Sequence, residues 1–321
     1  MEITTHIPPL PDSLITELAD FWLKAFGEPY EDQAGIRGQE LEYNNDFFYV
    51  TRREGKVVGT ARLIVPREIP TLGGLGEVAT DPDSRRLGIG SAMSAKAGED
   101  FKSMGGKAWF LGTINPNAMR VYSRLGWKRL AWSIAWAQII GDESPEEFLI
   151  DYFRTETGES SVRPGSPLER VTMVPLLATP HDWQILDSNT GIFSTRYAML
   201  RGALLLYPRF EKMCKDNKGT WFASYTNNGK LTGISTARLD NAGNCKIDAV
   251  AHSRFMSVWP ELVQNAIKWA SSKSAANCYA MLSQEDEEKQ SCFEEIGFYI
   301  KGTGPDFQLG DRSVPAVKMV I

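Results

Sequence analysis

The chain has few of the side chains that most often hold transition metals. It contains only three histidines, none close to another, and four cysteines without a Cys-x-x-Cys pair. We therefore expect no metal site. The cysteines are expected to be free and mostly buried thiols, as in proteins of a reducing cytoplasm; they are Cys214, Cys245, Cys278 and Cys292.

Long apolar runs and an excess of basic residues are also missing. No stretch of 18 apolar residues occurs, and Met1–Pro9 lacks a basic region before an apolar one, so neither a membrane span nor a signal peptide is expected. The 35 Lys and Arg residues against 40 Asp and Glu give a net charge of −5, unlike the basic surface of nucleic-acid-binding proteins. We expect a cytoplasmic protein that binds neither membranes nor nucleic acid.

The segment Val78–Met93 is the most informative part of the sequence. It predicts an apolar strand, an Asp-Pro turn and a helix that opens at two glycines, Gly88 and Gly90. The first N–H groups of a helix have no partner within the helix, and with the helix dipole they bind anions such as a pyrophosphate. Glycine allows the phosphate to approach where a Cβ would collide with it. The alternative is an ordinary tight turn before a helix.

The motifs after this segment occur in a recognisable order. A strand at Ala108–Ile114 is followed by Asn115, Ala118, Tyr122 and the pair Gly126-Trp127. Strand, glycine loop, helix, strand and then Asn…Ala…Tyr…Gly-aromatic resembles the GNAT superfamily of acyl-CoA-dependent N-acetyltransferases. The resemblance implies an α/β (α+β) fold with a mixed, mostly antiparallel central sheet flanked by helices. It also implies acetyl-CoA as co-substrate.

The order of elements repeats in the second half of the chain. The hairpin predicted over Trp221–Arg238 is similar to the one over Phe47–Val65. We therefore predict two GNAT-like domains: a catalytic domain at 1–145, a linker at 146–166 and a degenerate domain at 167–321.

The second domain lacks the motif residues. His252–Trp259 stands where the first domain has its glycine loop and contains no glycine. Counting back from Gly297, Phe293 replaces the tyrosine and Asp286 replaces the asparagine. A phenylalanine cannot donate a proton, so we expect the second domain to be catalytically silent.

The resemblance assigns the acetyl-CoA contacts of the first domain. Backbone groups of one strand hold the pantetheine arm and the thioester oxygen, and a loop with the following helix start holds the pyrophosphate. The strand residues are Val78, Ala79 and Thr80, and the loop residues are Arg85, Arg86, Leu87, Gly88, Ile89, Gly90 and Ser91.

Two further residues are assigned by the same resemblance. Tyr122 matches the tyrosine that protonates the departing thiolate, since a phenol keeps its proton at neutral pH. The alternative is a core tyrosine on an amphipathic helix. Asn115 binds the pantetheine or acts only as a helix N-cap.

The general base is less well defined. Glu77 is one residue away from the position at which many family members carry an acid, and one residue of register turns a strand side chain to the opposite face. It is therefore a candidate base, with a surface or salt-bridging role as the alternative. Glu28, Tyr30 and Glu31 are rivals, and a water chain without a dedicated base is a further alternative.

One set of aromatic residues and one acidic run have structural interpretations. Trp132 and Trp136, with Tyr30, line an acceptor pocket or belong to the core, and the core is the default. The acidic run Glu285–Glu288 is expected to be a solvated helix start.

Together these observations predict an N-acetyltransferase that moves the acetyl group directly to a primary amine of a small molecule or peptide. The alternatives are a non-catalytic CoA-binding sensor or scaffold, and an acyltransferase with another donor or acceptor. The oligomeric state is left open; a monomer is consistent with two domains that pair within one chain.

Overall fold

The computed structural model describes residues 1–131, 133–154, 160–200 and 202–321. Contacts between residues divide it into two compact units. The first contains Met1–Leu130, Ala135–Phe148 and Gly202–Leu204, and the second contains the other described residues. In the described part of the chain, none of the helices is long and apolar enough to cross a membrane.

The first unit alternates short helices with a seven-stranded sheet. Its elements are β1 (Thr4–His6), α1 (Asp12–Phe26), α2 (Gln33–Ile36), β2 (Asn44–Arg53), β3 (Lys56–Pro66), β4 (Leu72–Thr80), α3 (Ile89–Ser103), β5 (Ala108–Gly112), α4 (Pro116–Arg124), β6 (Lys128–Arg129) and β7 (Ala135–Ile139). The strand order is β1-β2-β3-β4-β5-β7-β6, and within this sheet, as far as it is described, β4 and β5 form the only parallel pair.

The second unit contains a sheet of the same size. After α5 (Pro145–Arg154) come β8 (Ser160–Pro164), α6 (Glu169–Ala178), β9 (Ile185–Asp187), β10 (Ile192–Phe193), α7 (Tyr207–Cys214), β11 (Gly219–Thr226), β12 (Leu231–Leu239), β13 (Cys245–Ala251), α8 (Trp259–Ser272), β14 (Cys278–Ser283), α9 (Glu287–Glu294), β15 (Tyr299–Leu309) and β16 (Arg312–Val320). Strands β9 and β10 form a separate pair.

The two large sheets have the same topology. The second sheet runs β8-β11-β12-β13-β14-β16-β15, and its β13 and β14 are parallel as β4 and β5 are in the first. Each strand therefore has a counterpart at the same place in the other sheet. The predicted fold class, two mixed and mostly antiparallel sheets flanked by helices, is confirmed.

A close approach of helix and sheet explains one glycine in each unit. A Cβ at Gly59 in β3 would collide with Ile89 at the start of α3, and one at Gly233 in β12 would lie 2.7 Å from Leu262 of α8. Both strands therefore need a glycine where the helix that follows the next strand packs on them.

The predicted domain limits at 1–145, 146–166 and 167–321 stay a prediction. The segment 146–166 contains most of α5 and all of β8, and β8 is an edge strand of the second sheet. The four cysteines are free, as expected, with Cys245 and Cys278 buried and the other two half-buried.

The core of the first unit lies on both faces of its sheet. One cluster joins α3 and α4 to the sheet and includes Met93, Phe101 and Tyr122. The other joins α1 to the opposite face and includes Trp22 and Phe48. The two faces meet different elements, which decides where each candidate site residue lies.

Candidate active site

Strand β4 carries a bulge at Glu77. The pairing between β3 and β4 shifts between Thr60 and Arg62, so that Ala61 faces two residues, Glu77 and Val78. Glu77 has a backbone φ of 45°, which residues other than glycine adopt infrequently. The bulge therefore re-aims one acidic side chain, a recurrent feature next to active sites.

Strands β4 and β5 pair over only three residues and then separate towards the end of β4 that carries the bulge. Their parallel pairing covers Leu72–Gly74 with Ala108–Phe110, and β4 then continues to Thr80 paired with β3 but not with β5. Val78 packs with the α3 face of the sheet and Ala79 with the α1 face. The backbone of this part of β4 thus borders a gap that β5 does not close.

The glycine loop ends in an open helix start. Gly88 is the N-cap of α3 with a φ of 77°, and within the described residues no side chain caps the helix. Arg86 also has a positive φ, 65°, and the residues from Arg85 to Gly88 are exposed. Gly88 and two arginines are therefore exposed beside the uncapped start of α3, as an anion site requires.

The loop lies beside the end of β4. A Cβ added at Gly90 would be 3.5 Å from Thr80 Oγ1, which is an ordinary contact. At Gly88 the same addition would meet no described atom within 4 Å, so the space in front of this backbone is open. The helix start and the gap between the strands are consequently adjacent.

Tyr122 lies on α4 within the core of the α3 face. It is 6% exposed, and its ring centroid is 5.8 Å from that of Trp127. Burial raises the pKa of Tyr122 above its ordinary value. Its hydroxyl makes no hydrogen bond within the described part of the chain, so the proton is not committed to a protein acceptor.

Asn115 acts as the N-cap of α4. Its side-chain oxygen accepts hydrogen bonds from the backbone N–H groups of Asn117, at 2.9 Å, and Ala118, at 3.3 Å. This is the structural role weighed for it in the sequence. A contact with pantetheine stays a prediction.

Glu77 belongs to the opposite face of the sheet. Tyr30 Oη donates to Glu77 Oε1 at 3.4 Å, and Arg62 Nη1 lies 3.6 Å from the same oxygen. The Tyr30 ring packs at a tilt against Trp22 with ring centroids 4.3 Å apart, which ties this group to the α1 face. Tyr122 and Glu77 thus approach the sheet from its two sides.

A buried ion pair supports this acidic group, and it was missed in the sequence. Arg62 is 1% exposed, and its Nε and Nη2 donate to the two oxygens of Asp46 at 2.9 and 2.6 Å. Its Nη1 donates to Asp32 at 2.6 Å and to Tyr30 Oη at 3.1 Å. An arginine inside the apolar strand Val57–Val65 was the available signal, because a buried guanidinium needs a carboxylate partner.

The remaining residues considered for the base and for the acceptor pocket differ in exposure and location. Glu28 and Glu31 are exposed and show no contact with Glu77 among the described residues. Trp136 is 6% exposed and lies in the core cluster of Tyr122, in agreement with the default interpretation. Trp132 lies outside the described residues.

The structure places Val78, Ile89 and Tyr122 in one apolar cluster on the α3 face of the sheet. Glu77 and Tyr30 lie on the other side. This arrangement offers an uncapped helix start, a strand edge without a partner, a phenol and a carboxylate.

Comparison with known proteins finds a family match within the first unit. Residues 13–127 match the model of the Acetyltransferase (GNAT) family. The first unit therefore contains a GNAT acetyltransferase domain. Among curated proteins, none matches the chain.

Similar solved structures were also found. A GNAT-family acetyltransferase from Streptococcus pneumoniae is 15% identical, with 51% of this chain and 98% of that one covered and a TM-score of 0.39. A spermidine N-acetyltransferase from Vibrio cholerae is 14% identical, with 51% of this chain and 94% of that one covered and a TM-score of 0.39. A probable acetyltransferase from Staphylococcus epidermidis is 13% identical over 51% and 98%, with a TM-score of 0.40.

Proposed function

We propose that the chain is an N-acetyltransferase that moves the acetyl group of acetyl-CoA directly to a primary amine of a small molecule or peptide. The observation that supports this most strongly is the open start of α3 beside the gap between β4 and β5. An uncapped helix start with a left-handed glycine fits a pyrophosphate, and a strand edge without a partner fits an amide-containing arm.

The residues present fit acetyl-CoA at this place. The N–H groups from Leu87 to Ser91 would bind the pyrophosphate, with Arg85 and Arg86 adding charge-assisted hydrogen bonds. The backbone of Val78–Thr80 would bind the pantetheine amides as an added strand would. The open space in front of Gly88 is what the phosphate needs.

Acetyl-CoA supplies the acetyl group as a thioester, and the chain supplies proton transfer and electrostatic stabilisation. The backbone N–H groups of β4 would stabilise the negative charge that develops on the thioester oxygen. The carbon–sulfur bond breaks as the carbon–nitrogen bond forms, and Tyr122 gives its proton to the sulfur. The pKa of Tyr122 is raised by burial, so the hydroxyl is protonated at neutral pH.

The amine must lose a proton during the transfer. Glu77 would accept it, directly or through water, from the face of the sheet opposite Tyr122. Its hydrogen bond with Tyr30 and the nearby Arg62 hold the carboxylate at the bulge. A donor on one face and an acceptor on the other let the two proton transfers proceed without interference.

The test is a pair of tyrosine variants. In Tyr122→Phe we expect kcat to fall by about 10²-fold or more with little change in CoA affinity, because a general acid is lost. Stability should be unchanged, since this hydroxyl bonds to no described residue.

Tyr49→Phe is the matched control on the same face of the sheet. Tyr49 is fully buried, and its hydroxyl donates to Asp100 at 2.9 Å. This variant should lose about 1 kcal/mol of stability and keep its activity. Thiol release by Tyr122→Phe equal to that of the unmodified chain at every pH would refute the assignment. Binding of CoA without thiol release by the unmodified chain across a panel of amines would instead support a non-catalytic sensor.

A further inference from the structure

We propose that the second unit carries the same kind of cleft as the first and closes it with its own residues 183–190. The chain would then bind one acyl-CoA and not two. The count of one rests on the proposed function, whereas the closure of the second cleft is a property of the second unit alone.

The gap between the parallel strands begins at the same point in both sheets. In the second sheet, β13 and β14 pair only through Cys245–Lys246 and Cys278–Tyr279, and β13 then continues to Ala251. This matches the separation of β4 and β5 in the first sheet. The topology therefore gives the second unit a gap in the position of the first.

The bulge of the first sheet is missing from the second. Strands β12 and β13 pair without a shift from Gly233 opposite Ala251 to Leu239 opposite Cys245. The extra residue that places Glu77 in β4 has no counterpart in β13. The second gap consequently lacks the re-aimed carboxylate.

A segment of the same unit, residues 183–190, bridges the second gap. On the β14 side, the two oxygens of Asp286 accept the backbone N–H groups of Gln184, at 2.7 Å, and Ile185, at 3.0 Å. Ser283, the last residue of β14, donates its hydroxyl to the Gln184 side chain at 3.0 Å. Asp286 is therefore 4% exposed, which corrects the expectation that Glu285–Glu288 is wholly solvated.

The segment also forms hydrogen bonds with β13. The Ser188 N–H donates to Asp248 Oδ2 at 2.7 Å, and Lys246 Nζ donates to the Ser188 carbonyl at 3.0 Å. The Asn189 side chain donates to the Lys246 carbonyl at 3.1 Å. Residues 183–190 are thus tied to β13 through the side chains of Asp248 and Lys246 and the Lys246 carbonyl.

A lysine from α9 fills the space between the segment and the strands. Lys289 is 0% exposed, and its Nζ donates to the carbonyls of Ile185 at 2.8 Å and Leu186 at 3.1 Å. It also forms an ion pair with Asp248 at 2.6 Å. Removal of the segment would leave this ammonium without two of its partners in a buried place, which is costly.

The remaining motif positions of the second unit are filled by aromatic rings. Helix α8 begins at Trp259, which is 1% exposed, after the buried N-cap Val258, whereas the N-cap of α3 is the exposed Gly88. The Trp259 ring packs against Phe293 of α9 with centroids 4.8 Å apart. Phe293 stands seven residues after the N-cap of α9, as Tyr122 does after the N-cap of α4. The second unit therefore has neither an open helix start nor a proton donor at these places.

Hydrogen exchange of the full chain, with and without CoA, tests the closure. In the free protein, the amides of Ile185 and Ser188 should exchange at least about a thousandfold more slowly than in an unstructured chain, because both are bonded to carboxylates and Ile185 is buried. On addition of CoA, protection should increase in 78–91 and not in 183–190 or 245–260.

Asp286→Asn probes the segment directly, and Glu287→Gln, an exposed neighbour with the same change of charge, is the control. The two carboxylate oxygens of Asp286 each accept one backbone N–H group, whereas an asparagine offers a single acceptor oxygen. Amide exchange in 183–190 should therefore become about tenfold faster or more. The control should leave it unchanged.

The closure is overturned if these amides exchange rapidly in the free protein, or if CoA increases protection in 245–260. Slow exchange in 183–190 without any response to CoA would support the closure while refuting the proposed function. The two claims are therefore separable in one experiment.

Discussion

The role of the glycine loop is tested most sharply by two glycine variants of the first unit. Gly88 and Gly55 have φ angles of 77° and 78°, and a Cβ at either would meet no described atom within 4 Å. Gly88 precedes α3, whereas Gly55 lies in the turn between β2 and β3. The left-handed backbone costs an alanine about 1–2 kcal/mol. Gly88→Ala and Gly55→Ala should therefore lose similar stability.

Binding of CoA should separate the two variants. A methyl group at Gly88 enters the space that the pyrophosphate would occupy, and relief of the strained backbone would turn N–H groups away from it. A hydrogen bond to a charged group contributes about 1.5–3 kcal/mol. Loss of one such bond lowers affinity by roughly 10- to 150-fold. Gly55→Ala should bind CoA as the unmodified chain does.

The assay is calorimetric titration with CoA, accompanied by thermal unfolding of each variant. A loss of 1 kcal/mol lowers the midpoint of a protein of 150–250 residues by about 2–4 °C. Equal CoA affinity in the two variants, to within about twofold, would refute the reasoning that the open start of α3 is the anion site.

Three further predictions follow from the contacts of single residues. Asp46→Ala should lower the free energy of unfolding by about 3–5 kcal/mol, because it leaves Arg62 buried without its main partner. Denaturant titration measures this loss. The control is Asp83→Ala, at an exposed residue 3.5 Å from a lysine, which should change the free energy of unfolding by less than about 1 kcal/mol. Burial lowers the pKa of His252 to about 4 from its ordinary value of 6.5, so its contribution to stability should be fully present above pH 6.5 and should be lost as the pH drops towards 4; His252→Asn should show a smaller fall in stability. Glu77→Gln should lower kcat/KM at neutral pH by about 10²-fold with CoA affinity unchanged, and higher pH should partly restore it because more amine is deprotonated.

The parts of the fold that depend on local pattern were predictable from the sequence. The strand before Asp81, the glycines at 88 and 90 and the helix after them follow from neighbouring residues, and the structure has them in that order. The similarity between the hairpins of the two halves predicted the second sheet. Capping by Asn115 also follows from its position before a proline-started helix.

The parts that depend on distant contacts were not predictable. Asp46 and Arg62 meet because β2 and β3 pair in one register, and no local pattern specifies which carboxylate meets a buried arginine. Asp286 belongs to an acidic helix start that normally faces solvent. It is buried because Gln184 and Ile185, about a hundred residues earlier in the chain, donate to it. Such partners become visible only when the elements are placed together.

Calorimetric titration of the full chain with acetyl-CoA tests the central claim most directly. We predict one site per chain, formed by the start of α3 and the edge of β4. No binding would contradict the acetyltransferase proposal, and two sites would contradict the closure of the second cleft.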